Sequence, residues 1–378
     1  MKRIEIGSIC AGLLLIAGCG QATPAASSTT PASAAQTSIT DASLPSVELE
    51  PGVRGVFDAG SEEINTITVL APDGSGGVWT WLASASSARL LHVKGDGSSS
   101  QVPLEGEDAR VPTEAPGLAA CQDTVWFGVN RSLRRIGADG HTTVIDLPAT
   151  TAIPAVDAYR PEQLRGLSAV NGVACTGGTA VVTLSNAGQA FLVSPTGAAI
   201  TIDLPEGYEA IRPAADASGN IAIGLQDAAS GSGPHQVMIH SASGVTTQVT
   251  VDDSSQLLSD GEVFAAGATK FTASHSLTPY PAAPPDAEPG AALLSNGRRA
   301  FSSQAGVLVV DQSGNVTTRR LGSLSTCDQT HQLPGVTATT TATPTDCPLH
   351  ARRLVASGDT LYLVSGAASG PTLLATDV

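Results

Sequence analysis

A glycine that returns five times in one local setting constrains this chain more than any other feature. Four strand-forming residues, three turn residues and then the glycine appear as Leu90-Leu91-His92-Val93 before Gly97 and Leu133-Arg134-Arg135-Ile136 before Gly140. The same unit returns as Ala190-Phe191-Leu192-Val193 before Gly197, Val237-Met238-Ile239-His240 before Gly244 and Val307-Leu308-Val309-Val310 before Gly314. Seven residues after each glycine stands an aliphatic: Leu104, Leu147, Leu204, Val251 and Leu321. The spacing predicts a β-hairpin. Glycine takes the positive φ that the turn requires, and the returning strand delivers its aliphatic to the same layer each time.

A second hairpin is expected upstream of each of these. Its second strand begins near Val78-Trp79, Val125-Trp126, Ala180-Val181, Ile221-Ala222, Ala300-Phe301 and Leu361-Tyr362, each after a Gly, Asp or Asn turn. Two hairpins per unit make a four-stranded antiparallel sheet, and six units across 378 residues describe an all-β fold, a six-bladed β-propeller. A β-sandwich also has many short strands, but it does not explain the recurring glycine. The last unit ends one strand short, at Val378, so residues 47–57 are expected to supply its outer strand and close the ring. Residues 252–290 exceed the rhythm, and the run from Leu257 to Phe264 reads as half of a degenerate seventh blade, the alternative count. A hydrophobic content of 42% with only 14% charged residues leaves enough apolar surface for such a core.

The units resemble six-bladed propellers of the NHL and virginiamycin B lyase-like kind. Asp73-Gly74 with Val78-Trp79, Val125-Trp126, and the endings Leu147-Pro148 and Leu204-Pro205 carry the likeness, over about residues 66–378. The resemblance implies a lyase-type site at the central face, built from His, Glu and Tyr around a divalent metal. Those residues do not fall on matching strand positions in this chain, so the activity is not carried over.

The first residues read as an address. Lys2 and Arg3 precede an apolar stretch from Ile6 to Gly18, shorter than the roughly 20 residues that a membrane-spanning helix needs. It ends in Ile16-Ala17-Gly18-Cys19, which is similar to the bacterial lipobox and marks Cys19 as the lipidated N-terminus of the mature chain. The expected organisation is therefore a lipoprotein signal peptide at 1–18, a lipidated, disordered Ala/Ser/Thr/Pro-rich tether at 19–46, and the propeller at 47–378. This places the protein on the extracytoplasmic face of the cell membrane, held by its lipid. The chain carries 19 basic against 34 acidic side chains, a net charge of −15, which excludes a phosphate-backbone binder.

Cleavage removes Cys10 and lipidation uses Cys19, leaving four cysteines in an oxidising compartment. Cys121 and Cys175 occupy equivalent positions of consecutive units and are expected to bridge, and Cys327 then pairs with Cys347. The competing reading is a structural zinc site of Cys327, His331, Cys347 and His350, disfavoured because exported thiols are normally oxidised. The other histidines, His92, His141, His235, His240 and His275, form no recognised catalytic motif, and no P-loop, Gly-x-Ser-x-Gly or dinucleotide signature is present. Trp79, Trp81 and Trp126 read as packing between blades rather than a sugar platform. The pairs Arg134-Arg135, Arg298-Arg299, Arg319-Arg320 and Arg352-Arg353 should split between strand faces, some meeting acids. Residues 269–290 and 327–347 read as long loops, the usual carriers of recognition. The function expected is a monomeric, non-catalytic binding or scaffolding module with an envelope protein or glycan partner and no cofactor. The alternative is a lyase- or lactonase-type propeller enzyme with a divalent metal at the central channel. Small residues on the inner strands, such as Ala119-Ala120, Val173-Ala174, Ala214-Ala215 and Ala291-Ala292, favour the first.

Overall fold

The computed structural model describes residues 36–37, 47–58, 66–84, 87–104, 117–121, 124–160, 162, 165–230, 235–255, 257–274, 276–324, 348–367 and 370–378. The signal peptide, Cys19 and most of the tether expected at 19–46 lie outside them, as do Cys327, His331 and Cys347.

Seven antiparallel blades follow one another along the described chain, each built on four strands, consecutive in the chain except in the last. Blade 1 holds Thr66–Pro72, Val78–Ala83, Ala88–Val93 and Ser99–Pro103, with Gln36–Thr37 paired outside the last. Blade 2 holds Leu118–Cys121, Thr124–Val129, Ser132–Ile136 and Thr142–Asp146. Blade 3 runs Val170–Thr176, Thr179–Leu184, Gln189–Val193 and Ala199–Asp203, and blade 4 runs Tyr208–Ala215, Ile221–Asp227, His235–His240 and Thr246–Val251. Blade 5 is Leu258–Ser259, Phe264–Ala266, Thr269–Phe271 and Thr278–Pro279. Blade 6 is Ala291–Leu293, Arg299–Ser303, Gly306–Val310 and Val316–Arg319. Blade 7 contains Ala351–Ser357, Thr360–Ala367 and Gly370–Asp377, and its outer strand is Val53–Asp58, whose partners run from Val53 opposite Thr376 to Asp58 opposite Thr372. The N-terminal strand thus takes the position the sequence left open. Just before it, Val47–Leu49 pairs with Gly322–Leu324.

The count is seven blades, not six. The additional one is blade 5, whose strands are only two or three residues long and whose outer hairpin, between Phe271 and Thr278, lacks the repeating glycine. Residues 269–290 are therefore not an insertion into the rhythm of blades. They are the outer half of this blade and its link to blade 6.

The repeat has the expected cause. Gly97, Gly140, Gly197, Gly244 and Gly314 have φ between +74° and +88°. Each donates its amide to the carbonyl three residues earlier at 2.8–3.0 Å, a type I turn closed by a left-handed residue. The aliphatics seven residues on are all buried.

Each first strand lies innermost. Thr66–Pro72 sits beside Leu118–Cys121, and the sequence of neighbours continues through blades 3 to 7 until Ala351–Ser357 returns to Thr66–Pro72. There is consequently no single core. Apolar side chains fill wedges between adjacent blades: Trp81, Leu90 and Phe127 between blades 1 and 2; Trp126, Leu133 and Phe191 between blades 2 and 3. Phe57, Leu91 and Tyr362 fill the wedge between blades 7 and 1. Middle strands are buried on both faces, whereas an outer strand such as Thr142–Asp146 is exposed except at Ile145. Trp81 and Trp126 are fully buried, and Trp81 meets Phe127 edge-on at 5.6 Å, so both are packing residues.

Candidate functional site

The first strands surround a central channel. Its lower part, toward their C-terminal ends, has a volume of about 250 Å³ and is walled by small and apolar groups, among them Ala71, Ala119, Ala174, Ala214, Ala292 and Ala356. All seven blades contribute. Toward the N-terminal ends the channel widens into a funnel of about 690 Å³, and the chemistry changes. Asn171, Arg212, Arg352 and Arg353 join a wall of Leu70, Leu118, Val173 and Pro213.

Those polar groups arrive through backbone irregularities. Four inner strands carry a register shift near their start: between Ile67 and Leu70, Val170 and Gly172, Ala210 and Arg212, and Ala351 and Arg353. A bulge breaks the two-residue alternation and re-aims the side chains that follow. Arg352 and Arg353, expected on opposite faces, both line the funnel because the shift falls beside them. Asn171 ties two bulges together. Its Nδ2 donates to the carbonyl of Ala210 at 2.8 Å, and its Oδ1 accepts from the Thr183 hydroxyl at 2.7 Å. Gly172 follows because the blades approach closely there: a Cβ would collide with Pro213 Cδ.

Arg212 and Arg353 are open to solvent, yet they stand inside the funnel. Crowding by protein depresses the pKa of Arg212 first, and the charge of Arg353 depresses it further. The same crowding lowers the pKa of Arg353. Among the described residues no carboxylate lines the funnel. Ser255 at its rim turns its hydroxyl away to Asp253, at 2.6 Å. Of the arginine pairs, Arg299 feels the charges of Asp252 and Asp253, and several members donate to main-chain carbonyls. Arg135 donates to Pro195 O, Arg298 to Val378 O, Arg299 to Gly267 O and Pro281 O, and Arg319 to Pro51 O.

The other candidate residues lie apart from the funnel. Cys121 and Cys175 form the expected disulfide, with Cα atoms 5.9 Å apart, at the far ends of the inner strands of blades 2 and 3. The Cys327–Cys347 bridge and three of the four residues of the zinc alternative fall outside the described residues, and His350 is exposed. His92 stacks on Trp79 with centroids 4.2 Å apart and shares a 2.8 Å contact with Asp73. Burial works against the Asp73 carboxylate. His92 and the amides of Ser75 and Gly77 outweigh that cost and hold its pKa below the usual carboxylate value. His235 bonds Ser254, which follows blade 4, and His240 bonds Thr246 within it. His141 is exposed, and His275 lies outside the described residues.

The divalent metal implied by the lyase-like resemblance does not fit the funnel. Hard cations require carboxylates and other oxygen donors, and here three guanidiniums line the space with no carboxylate or imidazole among the described residues of the wall. Among the described residues no three His, Cys, Asp or Glu side chains converge anywhere.

No family model matches the chain, and neither does any curated protein. Solved structures do. A streptogramin B lyase covers 86% of this chain and 97% of its own length, with 12% identity and a TM-score of 0.55. A catalytically inactive virginiamycin B lyase from Staphylococcus aureus, with quinupristin, covers 84% and 97% at 12% identity and a TM-score of 0.56. The WD40 repeats of RRP9 cover 88% and 98% at 12% identity and a TM-score of 0.51. At this identity the likeness is one of fold: the chain is a β-propeller.

Proposed function

We propose that this chain is a membrane-anchored extracytoplasmic lipoprotein whose propeller binds a ligand in the central funnel without transforming it. One observation carries the reading: among the described residues the funnel and channel are walled mainly by Leu, Val, Pro, Ala and unpaired arginine, with no carboxylate or imidazole to move a proton. The Ile16-Ala17-Gly18-Cys19 run supports the anchor. The seven four-stranded blades, with Val53–Asp58 as the outer strand of the last, supply a rigid frame around the funnel. A second reading, a lyase- or lactonase-type enzyme working at the channel, is favoured by the fold likeness to the streptogramin B lyase.

Two measurements test the proposal. Expressed in a bacterium with lipoprotein processing, the chain should fractionate with membranes, and Cys19→Ala should release it to the soluble extracytoplasmic fraction. Continued retention of the variant would contradict the anchor. Incubated with streptogramin B and with aliphatic lactones, with and without magnesium, the protein should return them unchanged. Magnesium-dependent ring opening would replace the binding reading with the enzyme.

A further inference from the structure

We propose that Arg212 and Arg353 form an oxyanion receptor at the mouth of the channel, and that its ligand is a small organic anion with an apolar body. The inference rests on the binding reading above and names the class of ligand that the funnel takes.

Three independent features point the same way. First, like charges are held together where an uncharged lining would be more stable. Two guanidiniums from different blades share one funnel, close enough for one to disfavour ionisation of the other. Neither makes a hydrogen bond or ion pair among the described residues, whereas Arg299, Arg319 and Arg160 each donate to a main-chain carbonyl. An arrangement that costs stability is retained where something outside the chain repays it. Second, the chain as a whole is acidic, with a net charge of −15. A cationic pocket at the axis is thus a local exception to the overall charge balance. Third, the placement is built. Bulges in blades 4 and 7 turn the two side chains inward, and Asn171 fixes the bulge of blade 4 through Ala210.

The chemistry of the ligand follows from the walls. Guanidinium forks recognise carboxylate, phosphate and sulfate oxygens with two parallel hydrogen bonds. Behind them Leu70, Leu118, Val173 and Pro213 narrow toward the alanine-walled channel, which accepts a hydrocarbon or other apolar body. A volume of about 690 Å³ accommodates a small molecule and not a folded partner. Asn171 is a positioning residue, since both of its amide atoms are engaged by protein.

The test uses the full chain in a non-ionic detergent, titrated calorimetrically with hexanoate, hexyl phosphate and hexyl sulfate. Hexanol and hexylammonium serve as uncharged and cationic counterparts. At least one of the three anions should bind, and the head group that binds best identifies the oxyanion. Arg212→Gln and Arg353→Gln should each weaken that anion about tenfold or more, the double variant should lose it, and Lys94→Gln should leave it unchanged. Thermal unfolding separates this from a structural role: the double variant should melt at the same temperature as the wild type or higher, because a repulsive pair has gone. The proposal is overturned if none of the anions binds at millimolar concentration, if hexylammonium binds as well as they do, if the double variant binds unchanged, or if it unfolds. Recovery of the probe by NMR keeps the two readings apart. A bound but chemically altered probe would sink the non-catalytic reading and leave the receptor standing. Loss of binding would sink the receptor alone.

Discussion

The same residue type does opposite work at two places in this molecule. Arg299 is 1% exposed, lies over Phe301 at 4.7 Å and beside Tyr280 at 5.3 Å, and donates to Gly267 O at 2.6 Å. It fills the space between blades 5 and 6 where other wedges hold aliphatics, and the burial of its neighbour Tyr280 pushes that hydroxyl up to about 12. Arg299→Ala should therefore leave a cavity and orphaned carbonyls, costing about 3 kcal/mol in urea unfolding. Arg212→Gln should cost nothing, because no protein group depends on it. Asp73 gives a pH signature of its own. Its carboxyl is held below the ordinary 3.8, so the native state resists protonation there more than the unfolded chain does. That contribution is present in full above the unfolded value and is withdrawn as the pH falls through the lower, folded one. Between pH 6 and pH 3 the wild type should lose more stability than Asp73→Asn, whose amide oxygen can still cap Ser75 and Gly77. Equal losses would show that the His92 contact and the turn amides do not stabilise the ionised form.

At the scale of elements, the strand Val53–Asp58 bears the most consequence for its length. It is far in sequence from its partner Gly370–Asp377, and Phe57, 3% exposed, packs into the wedge between blades 7 and 1. Phe57→Ala should lower global stability by about 3–4 kcal/mol by chemical denaturation, more than a surface hairpin substitution could. A cost below 1 kcal/mol would mean that the seam is not part of the cooperative unit. This strand was readable in advance because blade 7 visibly lacked one. The outer hairpins were readable too, because a type I turn closed by a left-handed residue admits little besides glycine, which left Gly97 and its four counterparts in the sequence. Blade 5 was not. Strands of two and three residues carry no periodicity, and its outer turn uses no glycine, so the unit looked like a loop with half a blade beside it. The funnel was illegible for a different reason. Alternation assigns Arg352 and Arg353 to opposite faces, and only a bulge, which has no residue signature here, places both on one. The alanines of the inner strands were a correct sign of a narrow, uncharged lower channel, but they said nothing of its mouth.

For the whole molecule, a ring of wedges implies that stability is distributed by interface and not by depth. The disulfide Cys121–Cys175 joins blades 2 and 3, whose wedge is already rich in buried aliphatics and aromatics. Reduction should lower global stability by about 2–4 kcal/mol through the freed unfolded chain. The weak point lies across the ring, where the buried apolar cluster between blades 5 and 6 is small, Ala265 and Tyr280 against Leu293, and where Arg299 stands in place of apolar packing. Local opening follows the interface with least apolar burial. Amides of Phe264–Ala266 and Thr269–Phe271 should therefore exchange with solvent through a partial opening well below the global free energy, while those of Thr179–Leu184 exchange only on complete unfolding. Because blade 5 can separate without breaking the seam at Val53–Asp58 or the disulfide, reductant should bring down the protection of blade 3 and leave that of blade 5 where it was. Native-state hydrogen exchange resolves both halves of this expectation. Uniform protection across blades 3 and 5, or a parallel fall of both on reduction, would mean that the ring opens as one unit and that its short blade is no weaker than the rest.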